Sequence, residues 1–287
     1  MKKIQLLSLL CLALLTACYE PKEGCTDAAA TNLDLDADEA CMDCCTYPEL
    51  RLSLLHSVVL PGGSTKFTPN AVYYDGANQP FRFKSIRFYL SNIRLIRADG
   101  SEVGVSDEIE LDLFDPSGMP RKGTVEDNFL LTNAAFDQTY VIGQFRQTGN
   151  TFTKVRFAIG VEGLGNEAIP DSLPTDYPLG RIEEGLHFNQ DSGYVFNYIE
   201  LLRDTAAADT IPVTMRIGTA PYLRVVELDL PASYTPVEGF NTLLTLQVNY
   251  ALWFQDLNAR QDTPAQMIEK IVQNLANSFS VLAVEKK

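Results

Sequence analysis

Apolar and polar residues alternate through most of this chain, in short runs that favour strands over helices. The first is LRLSLLHSVVL, Leu50 to Leu60, closed by Pro61-Gly62-Gly63. FRFKSIRFYLSNIRLI, Phe81 to Ile96, keeps its apolar residues at Phe81, Phe83, Ile86, Phe88, Leu90, Ile93 and Leu95. Its phase slips at Lys84-Ser85 and again near Ser91-Asn92, which predicts bulges or a bend. Asp99-Gly100 predicts a hairpin turn. Further strands are expected at Ile109–Phe114, Tyr140–Phe145, Thr153–Ile159, Tyr194–Leu201, Ile211–Ile217, Leu223–Leu230 and Leu243–Tyr250. DTPAQMIEKIVQNLANSF follows a different period. Thr263 suits an N-cap, Pro264 the first helical position and Gln266 the third residue of a capping box. Met267, Ile268, Ile271, Val272 and Leu275 make one apolar stripe at helical spacing, suited to packing on a sheet. Phe279 to Val284 returns as a last short strand. Many short strands, with neither βαβ spacing nor a Gly-rich phosphate loop, indicate an all-β fold. The expected architecture is an immunoglobulin-like β-sandwich with one C-terminal helix, preceded by a small disulfide-rich module.

The N-terminus reads differently. Met1-Lys2-Lys3 precedes the apolar run Ile4 to Leu15, which is shorter than the roughly 20 residues of a membrane crossing, so it reads as a targeting segment. LLTAC, Leu14 to Cys18, resembles the lipobox of bacterial lipoproteins. That resemblance implies cleavage before Cys18 and acylation of its thiol. Residues 1–17 are then a signal peptide, 18–48 a lipid-attached tether with a Cys-rich module, and 49–287 one sandwich domain. The implied location is the bacterial cell envelope, at the outer membrane or cell surface before the inner membrane. The membrane is reached through lipid, and a second protein of the envelope is a candidate partner. The whole chain carries 23 basic and 37 acidic side chains. Without residues 1–17, and so without Lys2 and Lys3, 21 basic groups face the same 37 acids, a formal charge of -16. That balance repels phosphate backbones and excludes nucleic acid as a partner.

Four cysteines follow the lipid-bearing one: Cys25, Cys41, Cys44 and Cys45. In an oxidising compartment they read as two disulfides with three possible connectivities, Cys44 and Cys45 bonding to different partners. Zinc is the competing reading of CxxCC. Asn32, Asp34, Asp36 and Asp38 alternate between the cysteines as calcium ligands would. The Gly and terminal Glu of a full calcium loop are missing, which favours a solvated acidic loop. The stretch resembles the short GCTD…ATN…C modules of Bacteroidetes surface proteins, with DEACMDCC in place of their usual ending.

The chain has two histidines. Alternation puts His56 on the face of Leu52 and Leu54, and His187 precedes a bend at Ser192-Gly193. Imidazole suits copper and zinc, though two nitrogens alone make an open site. No carboxylate pair stands apart, and Ser192 lacks a nucleophile-elbow context, so no catalytic reading emerges. FRFKSIRFYLSNIRLIRADGS (Phe81 to Ser101), VRFAIGVEGLGN (Val155 to Asn166), LHFNQDSGYVFNYIE (Leu186 to Glu200) and MRIG (Met215 to Gly218) resemble, in order, blocks of the MbnP-like family. These are extracytoplasmic copper-binding proteins. The resemblance implies a β-rich fold and a copper site built from histidines and an oxidised tryptophan. His56 falls at the family's first-strand histidine, and His187 at the start of its aromatic motif. Phe188 and Gln190 stand where the family has tryptophans, and Arg216 where a later strand has His. Phe offers no donor atom, and Arg brings a positive charge instead of a lone pair. Arg216 is expected to pair with Asp191 or Glu200, and Trp253, the single Trp, to serve packing. The resulting expectation is a lipid-anchored MbnP-like protein with copper held by His56 and His187 in a degenerate family site. Its alternative is a non-catalytic interaction or scaffold lipoprotein without metal.

Overall fold

The computed structural model describes residues 20–41, 43–115, 117–180, 185–205 and 211–287. The expected signal peptide and Cys18 lie outside the described residues. Strands are numbered along the chain. β1 (Glu23–Gly24) and β2 (Glu39–Ala40) belong to the Cys-rich module. Then come β3 (Glu49–Leu60), β4 (Gly63–Lys66), β5 (Val72–Tyr74), β6 (Pro80–Arg97), β7 (Glu102–Val103), β8 (Glu108–Phe114), β9 (Pro120–Glu126) and β10 (Phe129–Asn133). The rest are β11 (Gln138–Gln144), β12 (Phe152–Ile159), β13 (His187–Asn189), β14 (Gly193–Leu202), β15 (Val213–Gly218), β16 (Arg224–Tyr234), β17 (Thr242–Asn249) and β18 (Phe279–Lys286).

Two sheets form the sandwich. The larger runs β13-β14-β6-β12-β16, with β5, β7 and β10 also pairing β6 and β15 pairing β14. The smaller runs β11-β3-β17-β18, with β4 on β3, and joins β3 to β17 in parallel. The main core lies between them. Leu50, Leu52 and Leu54 of β3 and Leu244, Leu246 and Val248 of β17 meet Phe81, Phe83, Ile86, Phe88 and Leu90 of β6. The outer face of the larger sheet is covered too. Tyr89, Tyr194 and Phe196 project there and pack with Leu111 and Leu113 of the β8-β9 hairpin and with Leu179 and Leu186. Neighbouring residues of a strand point to opposite faces, so Phe88 and Tyr89 enter different cores.

Both expected phase slips of β6 are present. Against β14 the register steps from Ser85 to Phe83, leaving Lys84 as the extra residue. Against β12 it steps from Arg94 to Ser91, and Asn92 sits at φ 53°. Each extra residue restores the apolar set to the correct face after a break in period. The Asp99-Gly100 turn closes through the Gly100 N–H on the Arg97 carbonyl, with Gly100 at φ 84°. Alternation does not mark β9 or β10, because PRKGTVE is polar and FLLTN lacks a period of two.

The capping box forms as expected: Gln266 N–H donates to Thr263 Oγ1 at 3.3 Å, and Thr263 N–H to Gln266 Oε1 at 2.9 Å. The capped helix spans Pro264–Asn274 and buries Met267, Ile271 and Val272. The expected strand through Tyr250 is corrected, because Asn249 Oδ1 accepts the Ala251 N–H at 3.0 Å and starts a short helix, Tyr250–Phe254. That turn carries Trp253 fully inside, where its indole N–H donates to Ser278 Oγ at 2.8 Å. Ser278→Ala leaves this buried N–H without an acceptor and should cost about 1–3 kcal/mol in urea unfolding. Thr263→Ala, on the exposed cap, should cost about 1 kcal/mol.

Candidate functional site

His56 continues the buried row Leu50, Leu52, Leu54 and is 2% exposed. Its Nδ1 lies 2.7 Å from the Tyr250 hydroxyl, and its ring meets the edge of Phe88. Its backbone N–H donates to Asp137 Oδ1 at 3.0 Å, while Lys66 holds Asp137 Oδ2 at 2.6 Å. Nε2 is buried with no protein partner. Burial holds the imidazole neutral, depressing its pKa to about 4 against an upward pull from Asp137. Tyr250 is an essential part of this environment that alternation missed, since it was assigned to a strand end. The non-alternating apolar run YALWF after Asn249 is the signal that marks it.

His187 occupies a different place. It pairs with Tyr194 at the edge of the larger sheet, and the two rings meet edge-on at 5.0 Å. Its Nε2 also has no protein partner. Burial and the Arg216 charge lower its pKa, with Asp171 opposing. A cavity of about 260 Å³ opens beside it, lined by Phe114, Ile169, Pro170, Asp171 and Gln190. A larger groove of about 570 Å³ lies elsewhere, between β10 and β11.

The expected pairing of His56 with His187 is not what the structure builds. His56 packs with Phe88 in the inter-sheet core, whereas His187 packs with Tyr194 in the outer one. β6 and β14 run between them. Among the described residues, no three His, Cys, Asp or Glu side chains gather as metal ligands would. Arg216 stands where the resemblance implied a histidine. Its guanidinium lies 4.8 Å from the Phe188 ring centre and donates to the carbonyls of Gly185 and His187 at 2.8 and 2.9 Å. The expected ion pair of Arg216 with Asp191 or Glu200 is thereby corrected, and Glu200 faces Lys84 at 3.5 Å. Gln190 is exposed. The residues present therefore do not fit the two-histidine copper set. The corner is nonetheless tightly built. A Cβ on Gly218 would come within 2.6 Å of Phe188, and Thr219 holds φ 75°, ψ 157°, a region nearly reserved for glycine.

In the module, Cys25 bonds Cys45 and Cys41 bonds Cys44, so the adjacent cysteines take different partners as expected. The alternating polar residues mostly engage protein groups at the surface of the module. Asn32 bridges Cys44 and Thr46, Asp34 pairs with Lys22 at 2.8 Å, and Asp38 accepts the Lys22 N–H. Asp36 is exposed. The Lys22 amine lowers the Asp34 pKa, the largest cause being their direct hydrogen bond. The loop is matched by a lysine rather than converged on one point.

Because His56 is neutral in the fold but takes up a proton near 6.5 when unfolded, the unfolded chain binds more protons between those values. Its contribution is thus absent above about pH 6.5 and increasingly destabilising as pH falls, reaching about 3 kcal/mol near pH 4. Urea unfolding at pH 7.5, 6 and 4.5 should show a smaller acid loss in His56→Phe than in the parent. Imidazole NMR should show His56 still neutral at pH 5.

The family model MbnP matches residues 47–270, which hold most strands of both sheets. Among solved structures, MbnP from Methylosinus trichosporium matches with TM-score 0.43 and 12% identity, over 72% of this chain and 78% of that one. No curated protein matches the chain. With the family model covering more than half of the chain, most strands of both sheets and both histidines, the chain belongs to the MbnP family.

Proposed function

We propose that this protein is a non-catalytic, lipid-anchored lipoprotein of the bacterial cell envelope that uses the MbnP sandwich as an interaction body, without a two-histidine copper centre. The observation that carries this reading is the division of His56 and His187 between opposite faces of the larger sheet. One metal ion cannot bind both imidazoles through a packed sheet. Copper stability in such sites depends on several N or S donors held together, and Phe188 and Arg216 supply none. The anchor is supported by LLTAC at Leu14 to Cys18. The acidic balance supports contact with proteins rather than with anionic polymers.

A second reading keeps the family's copper at His187 alone. It is favoured by the unpartnered Nε2 beside a cavity that also holds Asp171. Two donors make a weak site, open to exchange.

Metal analysis of untagged protein, followed by Cu(I) titration against a competing chelator, separates these readings. The interaction body should hold less than a tenth of an equivalent of copper at chelator strengths that leave tight sites filled. Stoichiometric copper lost in both His56→Ala and His187→Ala would overturn it, and copper lost only in His187→Ala would establish the second reading. For the anchor, mass spectrometry of membrane-extracted protein should find an acylated Cys18 as the first residue, and Cys18→Ala should move the protein to the soluble fraction. An unmodified thiol at that position would refute the tether.

A further inference from the structure

The two disulfides of the N-terminal module differ in kind. Cys25 is 1% exposed, and its bond to Cys45 spans a sequence separation of 20. Cys41–Cys44 spans a separation of 3, with Cys44 exposed and Cys41 half-buried. A bridge over so short a separation removes little freedom from the unfolded chain, so the longer one does most of the constraining. Hydrogen bonds hold the same segment independently. Cys41 N–H donates to the Gly24 carbonyl at 3.0 Å, Asn32 Nδ2 to the Cys44 carbonyl at 2.7 Å, and Thr46 N–H to Asn32 Oδ1 at 2.8 Å. The exposed bridge is therefore redundant for the shape of the module. Beside it opens a cavity of about 460 Å³, lined by Asp27, Asp43, Tyr47, Gln144 and the cysteines Cys41 and Cys45.

We propose that Cys41–Cys44 is a thiol–disulfide exchange site that accepts electrons from a protein dithiol, while Cys25–Cys45 remains the structural bridge. One thiolate of the dithiol attacks the exposed Cys44 Sγ, forming a mixed disulfide and expelling Cys41 as a thiolate. The second thiolate of the dithiol then attacks its own sulfur in that mixed disulfide and expels Cys44. The chain gains two electrons and two protons as a pair of thiols, and the partner leaves as an intramolecular disulfide. Asp27 and Asp43 line the cavity on the Cys41 side of the bridge, with Arg146 3.8 Å from Asp27, and the acid left unmatched there repels an anionic thiol and favours a partner with basic residues around its dithiol. The proposal is independent of metal binding.

Graded reduction of the oxidised full chain with dithiothreitol, alkylation, and fragmentation of the tryptic segment 23–51 tests this. Cys41 and Cys44 should carry label at reductant levels that leave Cys25–Cys45 closed. Under limiting glutathione the adduct should sit on Cys44. Normalised to an uncharged small disulfide, cysteamine should open the bridge roughly several-fold faster than glutathione, and 1 M salt should remove most of that ratio. Cys41→Ser with Cys44→Ser should keep Cys25–Cys45 and the parent near-UV circular dichroism. Simultaneous opening of both bridges, earlier opening of Cys25–Cys45, an adduct confined to Cys41, a charge-independent rate, absence of a Cys41–Cys44 bond in the oxidised chain, or an unfolded double variant would each overturn the proposal.

Discussion

A strand that must bury both of its faces organises this molecule. β6 runs from Pro80 to Arg97, and along its middle Phe88, Tyr89, Leu90 and Ser91 are all fully buried. One face completes the inter-sheet core and the other needs cover of its own. The β8-β9 hairpin and the turns that carry Leu179 and Leu186 supply it. Leaving Tyr89, Tyr194 and Phe196 in water would forfeit about 1.5–3 kcal/mol for each large apolar side chain. The Tyr89 and Tyr194 rings also meet edge-on at 5.6 Å, and the Tyr194 hydroxyl donates to the Leu179 carbonyl at 2.6 Å. The outer layer is therefore a consequence of the central strand's composition.

This constraint also decides what the two imidazoles can do. A doubly buried sheet is a partition, and a residue's place on one side is set by the parity of its strand position. His56 continues a row of leucines into the inner core, where desolvation keeps it neutral and Tyr250 satisfies one nitrogen. His187 reaches the outer core through its pairing with Tyr194. Nothing short of a register slip could bring them to one ion, and a slip would turn a whole apolar row toward solvent. Arg216 is suited to this corner for a related reason. Its fixed fork of donors takes two backbone carbonyls, and its flat face lies over Phe188, so among the described residues the charge is held by carbonyls and a ring.

Strand periodicity made most of both sheets legible, and even the two bulges of β6 could be located from its broken phase. The capped helix was legible because Thr263, Pro264 and Gln266 each satisfy a separate requirement of a helix start. β9 escaped because a polar hairpin strand with one covered face has weak alternation. Tyr250 escaped because its conformation is set by Asn249, whose side chain competes with the ladder for one N–H. The strand of His56 was legible, but β13, which carries His187, was not expected, and neither was the distance between the two histidines. Distance between strands depends on sheet order, and no local period encodes it. The disulfide pairing was narrowed by the adjacency of Cys44 and Cys45 and left open beyond that, since two of the three connectivities give them different partners.

The surplus of acid acts at a distance rather than on the fold. Cations are largely committed to local partners: Arg156 to Glu162 at 2.9 Å, Arg94 to Glu126 at 2.6 Å, Lys66 to Asp137 at 2.6 Å and Lys22 to Asp34 at 2.8 Å. Such pairs are partly exposed and individually add little stability. They do neutralise the positive charge locally, leaving the unmatched carboxylates to set the long-range field. A body with that field is repelled by anionic headgroups and cannot hold itself on a membrane by charge. Retention there requires buried hydrocarbon, which the proposed acyl-cysteine supplies. The same field favours basic partners at the acidic module, the part of the described chain nearest in sequence to Cys18. Under the proposed anchor, tether, charge and module would act together: lipid would hold the protein at the surface, repulsion would keep the body off it, and the module would be left open to approach.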